Sequence, residues 1–225
     1  MGQGISEVLT FAVGVAISPV PIIAVILMLF SQRARVNGPL FLLGWVLALV
    51  IISAAAYVLA DQGDVAAGTG VSDTVAWGKI VFGVLLLLLA GRQWRGRPAP
   101  DEEPGMPKWM AGIDAFSPAK ALALGVLLAG ANPKNLLLTL AAAVGLAELG
   151  ISTTDAVVSL LVFVVVASLT IAGPVLYYLV GGAHAKAELD SLKGWLAVHN
   201  AAVMAVLFVV FGVDLIAKGI PPLSA

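Results

Sequence analysis

Residues 130–135, Gly-Ala-Asn-Pro-Lys-Asn, form the stretch of the sequence whose side chains could do chemistry. They lie inside an apolar segment that runs from about Ala119 to Leu149. A proline removes a helical hydrogen bond and clashes with the preceding turn. A charged side chain at membrane depth is costly unless it is paired, hydrated or used. The pattern therefore predicts a broken helix in which Lys134 and its asparagine neighbours line a polar cavity.

A second proline motif, Ser-Pro-Val-Pro at residues 18–21, falls near the centre of the first apolar segment. Because proline suits the first turn of a helix, each motif predicts a half-helix whose N-terminus points toward the middle of the membrane. Such termini carry about half a positive charge and bind anions, and Lys134 adds a full charge. We predict a site for a carboxylate, phosphate or sulfate. The alternative is a pair of proline kinks healed by neighbouring helices, with Lys134 neutral or snorkelling.

The remaining polar residues offer fewer candidates. Asp214 precedes Lys218 by one helical turn, a spacing that favours an ion pair; the alternatives are a proton relay or a counter-ion for Lys134. His199 and Asn200 begin the sixth apolar segment, where His199 is interpreted as an interfacial residue or, alternatively, a proton carrier. Two histidines without cysteine suggest no metal cluster, and no nucleophile–base pair is visible. We predict no metal, no cofactor and no enzymatic activity.

The composition places these residues in a membrane. Of the 225 residues, 60% are hydrophobic and 11% are charged, whereas soluble domains are about half apolar and a quarter charged. A net charge of −1 without a basic stripe argues against a nucleic-acid partner. Six apolar segments are each long enough for a transmembrane helix: about Ser6–Phe30, Leu40–Ala60, Val75–Trp94, Ala119–Leu149, Asp155–Val180 and Leu196–Lys218. Most Lys and Arg lie in the first, third and fifth connections, so the positive-inside rule puts both termini outside the cytosol.

A proline-rich linker, residues 95–118, separates two halves of three segments each, residues 1–94 and 119–225. Its composition buries too little apolar surface to fold alone, and residues 106–116 are predicted either to lie on the membrane surface, with Trp109 at headgroup depth, or to be a flexible tether. Each half opens with a Gly-Val pair followed by a proline motif, and three segments per half insert the second half upside down. We predict an all-α membrane protein of two inverted three-helix repeats with proline-broken first and fourth helices.

These motifs also resemble a known family. The stretches at residues 18–29, 44–45, 132–138 and 195–207 look like those of the GAP family, the peptidoglycolipid- and sulfolipid-addressing proteins of the LysE-type exporter superfamily. The resemblance implies a six-helix exporter of the bacterial inner membrane that helps to move envelope lipids or glycolipids toward the cell surface. It supports Asp214 less than the other candidates. At the positions that match the family's motifs, the resemblance supports a substrate site. Its residues are Ser18, Pro19, Pro21, Asn132, Pro133, Lys134, Asn135 and Asn200.

We therefore predict an exporter or flippase for an anionic or phosphate-bearing lipid or glycolipid, which works by alternating access about a site at the membrane midplane. One alternative is an exporter of amino acids or small solutes; a lipid path would differ by needing a lateral opening between helices. Another is a scaffold that assists a larger lipid-export machinery and transports nothing itself. A homodimer is also predicted, since small residues such as those at Ser53–Ala56 let transmembrane helices approach closely.

Overall fold

The computed structural model describes residues 2–62, 73–97 and 108–223, and the regular structure in these ranges is entirely helical. A short 3-10 helix, Lys108–Ala115, lies between α4 and α5. The α-helices of the described ranges are α1 (Gly2–Ala16), α2 (Pro19–Phe30), α3 (Ala34–Gln62), α4 (Asp73–Arg95), α5 (Pro118–Gly130), α6 (Pro133–Glu148), α7 (Thr153–Gly181) and α8 (Ala183–Leu223).

Helices α3, α4, α7 and α8 are each long and apolar enough to cross a membrane. Two further spans are bent pairs: α1 and α2 meet at 56°, and α5 and α6 meet at 62°. Counting each bent pair as one span gives six candidate spans in the described ranges, at the positions of the six apolar segments. The all-α membrane architecture and the two proline-broken helices are therefore confirmed.

The breaks follow from the covalent geometry of proline. Helix α1 ends at Ala16 and α2 begins at Pro19, while α5 ends at Gly130 and α6 begins at Pro133. Proline has no backbone N–H to continue the preceding helix, but its fixed φ suits the first position of the next one. Each bend is thus placed where the sequence removes one helical hydrogen bond and favours a new start.

Glycines allow the closest helix crossings. A Cβ added at Gly44 of α3 would fall on the backbone oxygen of Leu122 in α5, and one added at Gly125 would fall on that of Phe41. Helices α4 and α8 cross in the same manner at Gly83 and Gly212, where an added Cβ would lie 2.6 Å and 2.9 Å from the other glycine's oxygen. Such contacts between backbones hold transmembrane helices together where burial of apolar side chains gains little.

The two halves of the chain pack across each other. Helix α3 lies along α5 and α6, and α7 lies along α1 and α2. If the first and second halves of the chain are superposed, α3 corresponds to α7, and the pair α5–α6 corresponds to the pair α1–α2. The two sets of contacts are then equivalent, as an inverted repeat requires. The inverted repeat and the division of the chain at residues 94 and 118 stay predictions.

The described part of the linker is folded onto the bundle. The 3-10 helix packs against α2, with Met110 and Ile113 buried. Asn37 Nδ2 of α3 donates a hydrogen bond of 2.9 Å to the Phe116 carbonyl. The flexible-tether alternative is therefore wrong for residues 108–116. The prediction for the Trp109 side chain and residues 98–107 lies outside the described part of the chain.

Two other boundaries differ in detail from the sequence pattern. Helix α8 begins at Ala183, well before the apolar segment at Leu196, so much of the fifth connection is helix rather than loop. Ser53, one of the small residues suggested for a homodimer, is 1% exposed within the single chain. It therefore packs inside the bundle, and a homodimer stays a prediction.

Candidate functional site

The broken ends of the first and fourth spans meet inside the bundle at Lys134. This residue lies in the first turn of α6, and its ammonium group reaches the end of α1. Its Nζ atom donates to the carbonyl oxygens of Gly14 at 2.6 Å and Ile17 at 2.8 Å, and to Ser18 Oγ at 2.8 Å. An ammonium has three donors, so all three are used. We call Ser18, Lys134 and Asn135, with these two carbonyls, the Lys134 cluster.

The end of α1 supplies the negative partner for this ammonium. The last carbonyls of a helix have no partner within the helix and carry about half a negative charge in sum. Lys134 binds one of these oxygens, that of Gly14, and also the carbonyl of Ile17, which directly follows the helix. Thr170 Oγ1 of α7 donates to a third, that of Ala16, at 2.6 Å. The carbonyls freed by the break in the first span are thus bound by side chains from the fourth and fifth spans, and the Ala16 carbonyl also accepts from the Ser18 backbone N–H at 2.9 Å.

Ser18 and Asn135 extend the cluster to the end of α5. Ser18 Oγ lies 2.9 Å from Asn135 Oδ1 and 2.7 Å from the Val15 carbonyl, so its single proton goes to one of these acceptors while it accepts from Lys134. Asn135 Nδ2 donates to the Leu128 carbonyl at 3.1 Å. One connected set of hydrogen bonds therefore joins the inner ends of α1, α5 and α6.

The other predicted residues of the two motifs shape the helix starts. Asn132 is the N-cap of α6, and its Oδ1 accepts from the Lys134 backbone N–H at 3.1 Å. Pro133 occupies the first turn of α6, as Pro19 and Pro21 do in α2. In this structure their contribution is to end one half-helix and begin the next, which aims the Lys134 side chain at α1.

The cluster is enclosed by protein. Ser18, Lys134 and Asn135 are 1%, 1% and 0% exposed. The ammonium therefore faces backbone oxygens in this conformation, whereas the sequence pattern predicted that it lines a polar cavity. Both predicted motifs do meet, but binding of an anion between them stays a prediction.

Asn200 and Asp214 lie outside the cluster. Asn200 Oδ1, on α8, is buried and has no hydrogen-bond partner in the described part of the protein. Asp214 Oδ2 lies 3.6 Å from Lys218 Nζ, so the predicted pair one turn apart is confirmed. Lys218 makes a shorter contact of 2.8 Å with Glu7 of α1. The structure thus pairs Asp214 with Lys218 rather than Lys134, and a role in proton coupling stays a prediction.

A second cluster of charged side chains lies at the end of the bundle where α1 begins. Lys79 of α4 and Glu148 of α6 form an ion pair of 2.6 Å, and their side chains are 15% and 13% exposed. A cavity of about 210 Å³ lies between α1, α4, α6 and α8, with Glu7, Lys79 and Lys218 among its lining residues. We call it the four-helix cavity.

Sequence reasoning missed the residues that bring this group together. Glu7, Lys79 and Glu148 are not among the candidate residues that the sequence pattern indicated. The available signal was that Glu7, Lys79, Glu148 and Lys218 all lie near segment ends predicted to be on the same side of the membrane. Thr170 could have been recognised as a hydroxyl-bearing residue inside an apolar run.

The side of the four-helix cavity between α4 and α6 is closed by side chains. Helix α4 packs along α8, and over the described residues it does not pack closely against α6. The Lys79–Glu148 ion pair bridges these two helices at one end of the gap. Between α4 and α6 the bundle therefore has a lateral seam, which is held by side chains and not by closely packed backbones.

Residues 8–221 match the family model described as Sap, sulfolipid-1-addressing protein. No curated protein and no solved structure matches the chain. The matched range contains the whole Lys134 cluster and the Lys79–Glu148 pair, while Glu7 lies just before it.

Proposed function

The chain belongs to the sulfolipid-1-addressing protein family, and from that premise we propose that it is an exporter or flippase for an anionic lipid or glycolipid. It is a multi-pass membrane protein, and the family name concerns the addressing of a sulfated lipid. We propose further that it lies in a bacterial inner membrane with both termini outside, as the distribution of basic residues favours.

The observation that carries the proposal is the enclosed Lys134 ammonium, which is bound to the end of α1. Its acceptors are two neutral carbonyls and a hydroxyl, whereas sulfate or phosphate oxygens accept stronger, charge-assisted hydrogen bonds. An anionic headgroup can therefore compete for the ammonium. When it does, the end of α1 loses its cap, and the contact between the first and fourth spans weakens. Binding is thereby coupled to opening, as population shift between two states requires.

The lateral seam favours a lipid over an amino acid as the cargo. A lipid must keep its chains in the bilayer while its headgroup crosses, so its path needs an opening between helices. Helices α4 and α6 are joined across such a gap by the Lys79–Glu148 pair instead of close packing. We propose that the chains of the lipid remain in this gap while the headgroup moves past α6.

The test uses the purified full chain in vesicles that contain a fluorescent sulfated glycolipid, with chemical quenching of label in the outer leaflet. We expect the wild-type protein to move the lipid and Lys134→Met to slow that movement by about ten-fold or more. Lys120→Met is the matched control, because Lys120 is an exposed lysine in the first turn of α5. It should retain the wild-type rate.

Two results would contradict the proposal separately. Equal rates for Lys134→Met and the wild type would remove Lys134 from the mechanism. Absence of lipid movement with the wild-type protein, in vesicles where it is correctly folded, would favour the scaffold.

A neutral fluorescent lipid in parallel vesicles should move much more slowly, since it offers no charge to draw the ammonium from α1.

A further inference from the structure

We propose that α4 and α8 move as one body, and that this motion carries the Phe211 side chain of α8 away from Gly14 and opens a passage between the Lys134 cluster and the four-helix cavity. The inference goes beyond the proposed function, because such a passage can open whether or not Lys134 binds an anion. It stands on three features of the described residues: the packing of α4 on α8, the position of Phe211, and the two ion pairs at the end of the bundle where α1 begins.

Helices α4 and α8 form one packed unit. Their backbones meet at Gly83 and Gly212, and again at Gly219, where an added Cβ would lie 2.8 Å from the Ala76 carbonyl oxygen. Over the described residues, α4 packs closely against no helix other than α8. Helix α8 also packs against α2 and α7, but its backbone barely approaches that of α1. The pair can therefore change its position relative to α1 while its own crossing stays intact.

Phe211, next to that crossing, contacts both the Lys134 cluster and the wall of the four-helix cavity. A Cβ added at Gly14 would fall on the Phe211 ring, and the Gly14 carbonyl accepts from Lys134 Nζ. The Phe211 ring also stacks on that of Phe11, with 6.3 Å between the ring centres, and Phe11 lines the cavity. Leu215, one turn further along α8, lines the cavity as well. A shift of α8 away from α1 would therefore uncover the cluster on the side of the cavity.

Two ion pairs hold this unit against α1 and α6. Both lysines belong to the α4–α8 unit, and both glutamates belong to the facing helices: Lys79 binds Glu148 at 2.6 Å, and Lys218 binds Glu7 at 2.8 Å. The four side chains are between 13% and 33% exposed. Ion pairs that water can reach contribute little net stability. This end of the bundle can therefore be released without separating any closely packed backbones.

The test uses cysteine chemistry, since the chain has no cysteine of its own. Leu138→Cys places a reporter one turn after Lys134, at a fully buried position whose side chain lies 2.9 Å from a Cβ added at Gly14. The full chain in lipid nanodiscs is treated with a small, charged methanethiosulfonate reagent that reacts from water. Glu7→Lys together with Glu148→Lys puts like charges across both ion pairs, and the reaction should become about ten-fold faster or more.

A full exchange of charges separates release of the ion pairs from unfolding. Addition of Lys79→Glu and Lys218→Glu to the two reversals should restore the slow reaction. Asp190→Lys is the matched control, because it puts a like charge beside Lys193 in an ion pair near the start of α8; it should leave the reaction slow. Phe211→Ala should by itself speed the reaction as the two reversals do. A slow reaction in the doubly reversed chain would overturn the passage, and a slow reaction in Phe211→Ala would overturn the role of Phe211.

Spin labels measure the motion itself. Labels attached through Val13→Cys on α1 and Val213→Cys on α8, at two exposed positions, should move apart when both charge reversals are present. Labels attached through Val81→Cys on α4 and Val213→Cys should keep their distance. An unchanged distance between α1 and α8, or an equal change between α4 and α8, would overturn the moving unit. If Lys134→Met stops lipid movement although the passage never opens, this inference is wrong and the proposed function stands.

Discussion

The two broken spans bend by similar angles, 56° and 62°, but they satisfy their freed backbone groups in different ways. In the α5–α6 span the donors and acceptors are local: Asn132 caps α6, and Asn135 binds a carbonyl of α5. In the α1–α2 span Ser18 makes no side-chain cap for α2. Beside local contacts of Ser18 with the Val15 and Ala16 carbonyls, the carbonyls at this break are bound by Lys134 and Thr170, which belong to two other spans.

This difference indicates which break can change during a transport cycle. The break in the fourth span holds itself together, because its partners move with it. The break in the first span depends on the position of α6 and α7, so any ligand that draws Lys134 away also frees the carbonyls of Gly14 and Ile17. The break in the fourth span thus carries Lys134, and the hydrogen bonds at the break in the first span depend on where Lys134 lies.

Among these variants, Lys134→Met should produce the largest difference in hydrogen exchange between the two breaks. It removes the donor from the carbonyl oxygens of Gly14 and Ile17, and hydrogen bonds to charged groups contribute about 1.5–3 kcal/mol each. In hydrogen exchange with mass spectrometry, amides near residues 13–18 should exchange at least about ten-fold faster. Amides near residues 127–132 should change far less. Similar acceleration in both breaks would show that they are not held differently.

Thr170→Val should give the next largest effect, and again at the end of α1. Valine keeps the shape of the side chain and removes the 2.6 Å hydrogen bond to the Ala16 carbonyl, which still accepts from the Ser18 backbone N–H at 2.9 Å. The expected cost is therefore that of one ordinary hydrogen bond, up to about 1.5 kcal/mol. Denaturant titration in micelles would measure the loss of stability, and hydrogen exchange would locate it. A loss located at α5 instead would contradict the assignment of Thr170 to the first break.

Asn132→Ala should have a smaller and local effect. The loss of an N-cap typically destabilises a helix by about 1 kcal/mol, and here it would loosen the first turn of α6. Exchange should rise around residues 133–137 and change much less at the end of α1, because the Lys134 side chain keeps its hydrogen bonds to Gly14 and Ile17. Faster exchange at α1 than at α6 would overturn the view that the fourth span satisfies its own break.

Ser168→Ala should have the smallest effect and serves as the control for Thr170→Val. Ser168 lies on α7 two residues before Thr170, and its Oγ is buried without a hydrogen-bond partner in the described ranges. Removal of an unsatisfied polar group is close to neutral or stabilising. The free energy of unfolding in micelles should change by less than about 1 kcal/mol. A loss as large as that of Thr170→Val would mean that packing, rather than the hydrogen bond to Ala16, sets both values.

Much of the fold follows from short-range features of the sequence. The apolar lengths predict six spans, because a bilayer requires about 20 apolar residues per helix. The prolines at positions 19 and 133 place the breaks, since the missing N–H and the fixed φ act within one turn. The cap at Asn132 is equally local. The motifs also indicated correctly that the two breaks would meet, although they predicted that Lys134 lines a polar cavity there.

The partners of the charged residues depend on the tertiary structure alone. Lys134 binds a carbonyl 120 positions earlier, Thr170 binds one 154 positions earlier, and Lys218 binds Glu7 211 positions earlier. No helical spacing rule relates residues so far apart. The sequence by itself determined which side chains are polar within the membrane and where the helices break. The packing of the six spans decided what those side chains bind, because only that packing brings the end of one half-helix against the start of another.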